Sequence, residues 1–147
     1  MVILFALANL SVFAVAEAAS SVESASASAA GQNEPLFGSQ WALRAVGLPD
    51  RSSAAGAGTI VAVLDTGVSP VHPELAGRVL PGIDLVDADT DADDENGHGT
   101  AVAAMIAADG ANGVGIAGAC WKCSILPVRV LSSGGAAPWA RVAEGVV

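Results

Sequence analysis

Two short segments carry residue types that enzymes use to move protons. Asp65 follows the apolar run Ile60-Val61-Ala62-Val63-Leu64 and leads into Thr66-Gly67. In an open α/β sheet, reactive groups gather at the carboxyl ends of parallel strands, and a strand that stops on an aspartate places a carboxylate there. Taken alone, Asp65 is equally suited to a turn, with its oxygens satisfied by backbone N–H groups. The second segment, Asn96-Gly97-His98-Gly99-Thr100, sets a histidine between two glycines at the mouth of an alanine-rich stretch. Glycine on both sides lets another part of the chain approach the imidazole closely.

Two other groupings could do chemistry. Asp84, Asp87, Asp89, Asp91, Asp93, Asp94 and Glu95 crowd into residues 84–95. Alternating carboxylates at Asp87, Asp89, Asp91 and Asp93 can converge oxygens on a hard cation, and a solvated acidic loop is the other reading. Cys120-Trp121-Lys122-Cys123 holds the only two cysteines. In an exported protein this spacing is first a local disulfide. A zinc site would need a second pair of ligands, and a redox dithiol would need to sit at a helix start.

The elements that must hold these groups follow from patterning. The run 60–64 is apolar on both faces, β-branched and short, as in a central parallel strand. A second short strand is expected within residues 78–86 and a third over residues 125–131, where Pro127 demotes the start because it cannot donate a ladder bond. Between them, residues 100–108 are alanine-rich and suit a helix packed closely on a sheet. Pro138 fits the first turn of a further helix through Trp139, Val142 and Val146. Strand, helix, strand is an α/β order.

Composition bounds the rest. A chain of 147 residues, 52% hydrophobic, suffices for one domain with a buried core. Its formal net charge of -9 disfavours nucleic acid or an anionic membrane surface as a partner. Residues 1–15 are almost wholly apolar, and Ala16-Glu17-Ala18 supplies a small-x-small cleavage pattern, so residues 1–18 are expected to be a signal peptide for secretion. A leader of this kind normally begins with basic residues, whereas the first here is Arg44, and an uncleaved membrane anchor is the alternative. Residues 19–34 are Ser/Ala-rich and expected to be a disordered linker, with the domain over residues 35–147.

Together, Val63-Leu64-Asp65-Thr66-Gly67-Val68 and Asn96-Gly97-His98-Gly99-Thr100-Ala101-Val102-Ala103 resemble the aspartate and histidine motifs of the subtilisin family. His72-Pro73-Glu74-Leu75, Gly115-Ile116-Ala117-Gly118 and the run 125–131 resemble the family's intervening segments. The likeness is strongest to thermitase-type enzymes and covers the N-terminal half of the family's domain. It implies an incomplete three-layer α/β fold on a parallel sheet, and a serine endopeptidase acting on protein or peptide substrates.

On that resemblance, His98 is the general base and Asp65 fixes its tautomer; subtilisin is also a stock illustration of the chain order Asp, His, Ser. The nucleophile belongs in a later Gly-Thr-Ser motif, which these 147 residues lack. The oxyanion-hole asparagine is expected in the same missing half, and its loss alone costs about 10²- to 10³-fold in kcat. His72 is then structural. The acidic loop, with Asp84, Asp87, Asp89, Asp91 and Asp93, falls where thermitase-like relatives bind calcium. Glu74 stands where the family often has an aspartate on a second, tighter calcium, though its side chain is longer. Gly135, Ala136 and Ala137 fall where a family strand pairs with the substrate backbone, with Ala137 in place of glycine. Ala101 and Ala104 also depart from the family pattern, without touching a catalytic proton. The expected function is therefore a secreted serine endopeptidase fragment, inactive alone. The alternative is a non-catalytic peptide- or calcium-binding module derived from a protease.

Overall fold

The computed structural model describes the backbone of residues 2–4, and residues 34–47 and 56–146. Most of the expected leader and residues 19–33 of the expected linker lie outside the described residues. Four parallel strands form one sheet: β1 (Val2–Leu4), β2 (Ile60–Asp65), β3 (Ile83–Asp84) and β4 (Ser124–Arg129), in the order β1-β2-β4-β3. β2 and β4 run side by side from Ile60 opposite Ser124 to Asp65 opposite Arg129.

Both faces of the sheet are covered, which accounts for the unbroken apolar run of β2. Val61 and Val63 turn to one face and bury against α2 (His98–Ala107) through Ala103 and Ala107, with Ile125, Leu75 and Val68 completing that core. Ala103 and Ala107 are fully buried, and their small side chains let the helix axis lie close to the sheet. Ala62 turns to the opposite face with Val128 and Val130, against which Leu64 and Val142 of α3 (Trp139–Glu144) pack. The result is the three-layer α/β arrangement expected from the strand and helix order. A short helix α1 (Trp41–Ala45) lies near the N-terminal border.

Pro127 does not confine β4 to an edge, because the strand is interior. Ile125 exchanges backbone bonds with Arg78 and Leu80, and Arg129 accepts from Leu85. Pro127, two residues from each, therefore turns its missing donor toward the same side. There the neighbouring chain is interrupted between the Val79 bridge and β3. Gly82 fills that interruption, where a Cβ would come within 2.9 Å of the Pro127 carbonyl oxygen.

Candidate active site

β2 and α2 bring the two proton-handling residues together. Asp65 closes β2 with its side chain 10% exposed, and His98 opens α2 with its side chain 63% exposed. His98 Nδ1 lies 2.8 Å from Asp65 Oδ1 and 2.9 Å from Oδ2. Asp65 Oδ1 also accepts the Thr66 backbone N–H at 2.7 Å, and the Asp65 carbonyl accepts from Val130 and Leu131. The carboxylate is thus fixed on β2, and the ring is held by one edge with the Nε2 edge free for another partner. Among the described residues, no side chain bonds Nε2. The hydrogen bond to Asp65, then its charge, raise the His98 pKa, with a smaller contribution from Asp94.

The flanking glycines act differently from one another. Gly97 adopts φ +98°, a left-handed conformation that turns the chain into α2, and the space around its Cβ position is open. Gly99 is needed for space, because a Cβ there would meet the Gly67 carbonyl and come within 3.1 Å of Asp65 Cβ. Gly67 has both constraints: φ is +108° and a Cβ would come within 2.6 Å of the Ala92 carbonyl oxygen.

Asp94 lies beneath this junction. Its Oδ1 accepts from Thr66 Oγ1 at 2.8 Å, Asn96 N at 2.9 Å and Gly97 N at 2.8 Å. Its Oδ2 accepts from Thr100 N at 2.8 Å and Thr100 Oγ1 at 2.6 Å. Burial pushes the carboxyl up, but the bonds from Thr100, Gly97 and Asn96 outweigh it and hold Asp94 well below the usual carboxylate range.

The carboxylates of the acidic loop are arranged around an arginine. Arg129, 5% exposed, donates through Nη1 to Asp84 Oδ2 at 2.8 Å and Asp87 Oδ2 at 3.1 Å, and through Nη2 to Glu95 Oε2 at 2.7 Å. Burial alone would ease its proton off, but the charges of Asp84, Glu95 and Asp87 hold it more firmly than usual. Asp89, Asp91 and Asp93 each accept a backbone N–H one or two residues further along. The five carboxylates therefore turn either to the guanidinium or to their own loop. Among the described residues, no group of three or more His, Cys, Asp or Glu side chains is placed to hold a metal ion.

A second acidic pair was only half anticipated. Glu74 is buried, its Oε1 accepting from Ile116 N at 2.9 Å and its Oε2 from Asn112 Nδ2 at 3.3 Å. Glu34, assigned to the linker by composition, is equally buried and accepts from Gly113 N at 3.2 Å. Its Oε2 is enclosed without a hydrogen-bond partner. Both carboxylates thus face the loop of residues 112–116, a set of oxygen donors that fits a hard cation. The buried orphan oxygen of Glu34 is the observation that carries this fit.

The remaining expected positions are plainly placed. Gly135, Ala136 and Ala137 do not form an extended strand: Gly135 takes φ +74°, and the Ala136 carbonyl accepts from Ser132 N and Oγ, both at 3.1 Å. This closes the segment into a turn, tied to the histidine segment by Asn96 Nδ2 donating to the Ser133 carbonyl at 2.7 Å. Cys120 and Cys123 are joined as a disulfide across a Cα separation of 5.5 Å. His72 caps the turn of residues 73–75, its Nδ1 accepting from Glu74 N. The sequence reading missed Glu34, Arg129 and the role of Asp94. A lone arginine within the apolar run 125–131 was the available signal, since a charge buried in a strand requires partners.

Residues 56–144 match the model of the subtilase family. Thermitase of Thermoactinomyces vulgaris is 44% identical over 116 residues, covering 78% of this chain and 42% of thermitase. A thermophilic serine proteinase of Bacillus sp. (strain AK1) is 43% identical over 90 residues, covering 61% of this chain and 22% of that protein. Among solved structures, a cold-adapted subtilisin-like serine proteinase superposes with a TM-score of 0.58 at 38% identity, over 66% of this chain and 33% of that one. The chain spans less than half the length of each of these relatives.

Proposed function

The chain belongs to the subtilase family, and on that premise we propose that it supplies the aspartate and histidine of a Ser/His/Asp triad in a serine endopeptidase. His98 Nε2 would take the serine proton and return it to the leaving amine, while Asp65 holds the proton on Nδ1 and stabilises the imidazolium. The single observation that supports this most is the contact of His98 Nδ1 with both Asp65 oxygens, which leaves the Nε2 edge facing solvent. The nucleophile would come from a segment beyond these 147 residues, which contain no Gly-Thr-Ser motif. The chain alone is then inactive on peptides. Labelling with a serine-directed fluorophosphonate tests this: no label is expected on the 147 residues, and stoichiometric labelling of one of their serines would sink the proposal.

Protein or peptide substrates follow from the same reading, as does export. The small-x-small pattern at residues 16–18, where cleavage would release β1 from the edge of the sheet, and the Cys120–Cys123 disulfide support a secreted protein. Among the described residues, no helix is long and apolar enough to cross a membrane.

Calcium belongs to this proposal at a different place from the acidic loop. Glu34, Glu74 and Asn112 are the residues that would hold it. A bound calcium would neutralise the two buried carboxylates and cross-link residue 34, the turn of residues 73–75 and the loop of residues 112–116. A non-catalytic calcium module is the less supported alternative, because such a module has no use for the His98–Asp65 contact.

A further inference from the structure

Asp94 bonds to neither member of the catalytic pair, yet it governs the hydroxyls that lock their two segments together. An ionised carboxylate can only accept, so the hydroxyl hydrogens of Thr66 and Thr100 must both point at Asp94. Each threonine oxygen then has only lone pairs left, and each accepts a backbone N–H from the opposite segment. Thr66, on the turn after Asp65, accepts from Gly99 N at 3.0 Å on α2. Thr100, on α2, accepts from Ser69 N at 3.0 Å on the turn after Asp65. These are reciprocal cross-links, one reaching in each direction, with a single charge setting the polarity of both.

We infer that Asp94 is a positioning residue of the proposed triad: through Thr66 and Thr100 it sets the register between the end of β2 and the start of α2, and so holds His98 Nδ1 against Asp65. The register has little slack. Gly99 has no room even for a Cβ, which would meet the Gly67 carbonyl and come within 3.1 Å of Asp65 Cβ, so α2 cannot slide toward β2 at the residue beside His98. Asp94 also caps the first turn of α2 by accepting from Gly97 N and Thr100 N, where a negative charge suits the helix N-terminus. The five donors on this carboxylate exceed its roughly four lone-pair sites, so no acceptor capacity is left for water. An asparagine could not substitute. Its amide nitrogen would have to face Asp94's present donors and would turn at least one threonine hydroxyl away.

This inference rests on the proposed pairing of Asp65 with His98, and the two can be tested separately in the intact chain. With His72→Gln as background, His98 is the only imidazole, and its ring 15N shifts report which nitrogen carries the proton. The parent is expected to show one neutral tautomer, protonated on Nδ1. Asp65→Asn is expected to abolish that preference; if it does not, the pairing itself is wrong. Thr66→Val and Thr100→Val each cut one cross-link at nearly constant volume and keep the Asp94 charge. Each is expected to give a mixture of tautomers and a His98 pKa below the parent's, with Thr66→Ser restoring the parent signature. Asp94→Asn should reproduce both valine variants. A loss in Asp94→Asn with both folded valine variants unchanged would mean that Asp94 acts by charge alone, and would overturn the inference. So would parental tautomer and pKa in all three variants. Folding is followed through the emission of buried Trp121, the tautomer is read only in variants that fold, and parental behaviour in every folded variant counts against the inference.

Discussion

His98 meets Asp65 through Nδ1 at 2.8 and 2.9 Å from its two carboxylate oxygens, where the last residue of β2 faces the first residue of α2. Thirty-three residues separate the two in the chain. The contact exists because an apolar strand stops on an aspartate and an alanine-rich helix starts on a histidine, with Gly99 bringing no Cβ against the Gly67 carbonyl and Asp65.

A pH dependence follows from this contact. His98 has a raised pKa, so its contribution to folding is fully present below the unfolded value near 6.5 and is lost as pH rises through the folded value. Stability measured by urea unfolding should therefore fall between neutral and mildly alkaline pH, and His98→Gln should flatten that decline. An unchanged slope in His98→Gln would place the titration elsewhere.

Gly67→Ala is expected to destabilise the chain by about 3 kcal/mol, because it combines a left-handed φ with a clash on the Ala92 and Asp93 carbonyls. Gly97→Ala should cost less, about 1 kcal/mol, since only the backbone conformation opposes it. Equal unfolding midpoints for the two variants would refute the distinction between space and conformation.

Arg129 is the internal cation of the acidic loop. Arg129→Met removes it while Asp84 stays buried, and a loss of about 3–5 kcal/mol is expected. In a Glu34→Gln background, which removes the calcium site proposed at Glu34 and Glu74, chelators should not reproduce this loss and added calcium should not rescue Arg129→Met. Rescue by calcium would return the loop to the metal reading suggested by its alternating aspartates.

Calcium at Glu34 and Glu74 has a signature of opposite signs. Saturation at about 100 times Kd should stabilise the chain by about 2.7 kcal/mol. Glu34→Gln should remove that increment and, in the presence of chelator, leave the variant at least as stable as the parent, because the buried orphan oxygen no longer carries charge. A Glu34→Gln chain that still gains the full increment would exclude Glu34 as a ligand.

The features legible in the sequence were those encoded by neighbours. β2 and α2 announced themselves through an unbroken apolar run and an alanine stretch, and the two motifs named the family. Pro127 misled because the rule against proline in interior strands assumes an uninterrupted neighbour, and Gly82 marks where the neighbour is broken. The acidic loop was only partly legible, because spacing shows which carboxylates are close in the chain. It does not show that Arg129, 34 residues beyond Glu95, enters among them. Glu34 was hidden by the low-complexity stretch before it, and Asp94 by the acids around it. Its distinction lies in Thr66 and Thr100, which reach it from separate elements.

The most direct test of the central claim is to join this chain, in register, to the serine-bearing half of thermitase and measure peptide hydrolysis. The expected result is a labelled, active enzyme in which His98→Ala abolishes turnover and Asp65→Asn lowers kcat by about 10⁴-fold with little change in KM. A folded, fluorophosphonate-reactive fusion whose kcat is indifferent to both substitutions would contradict it.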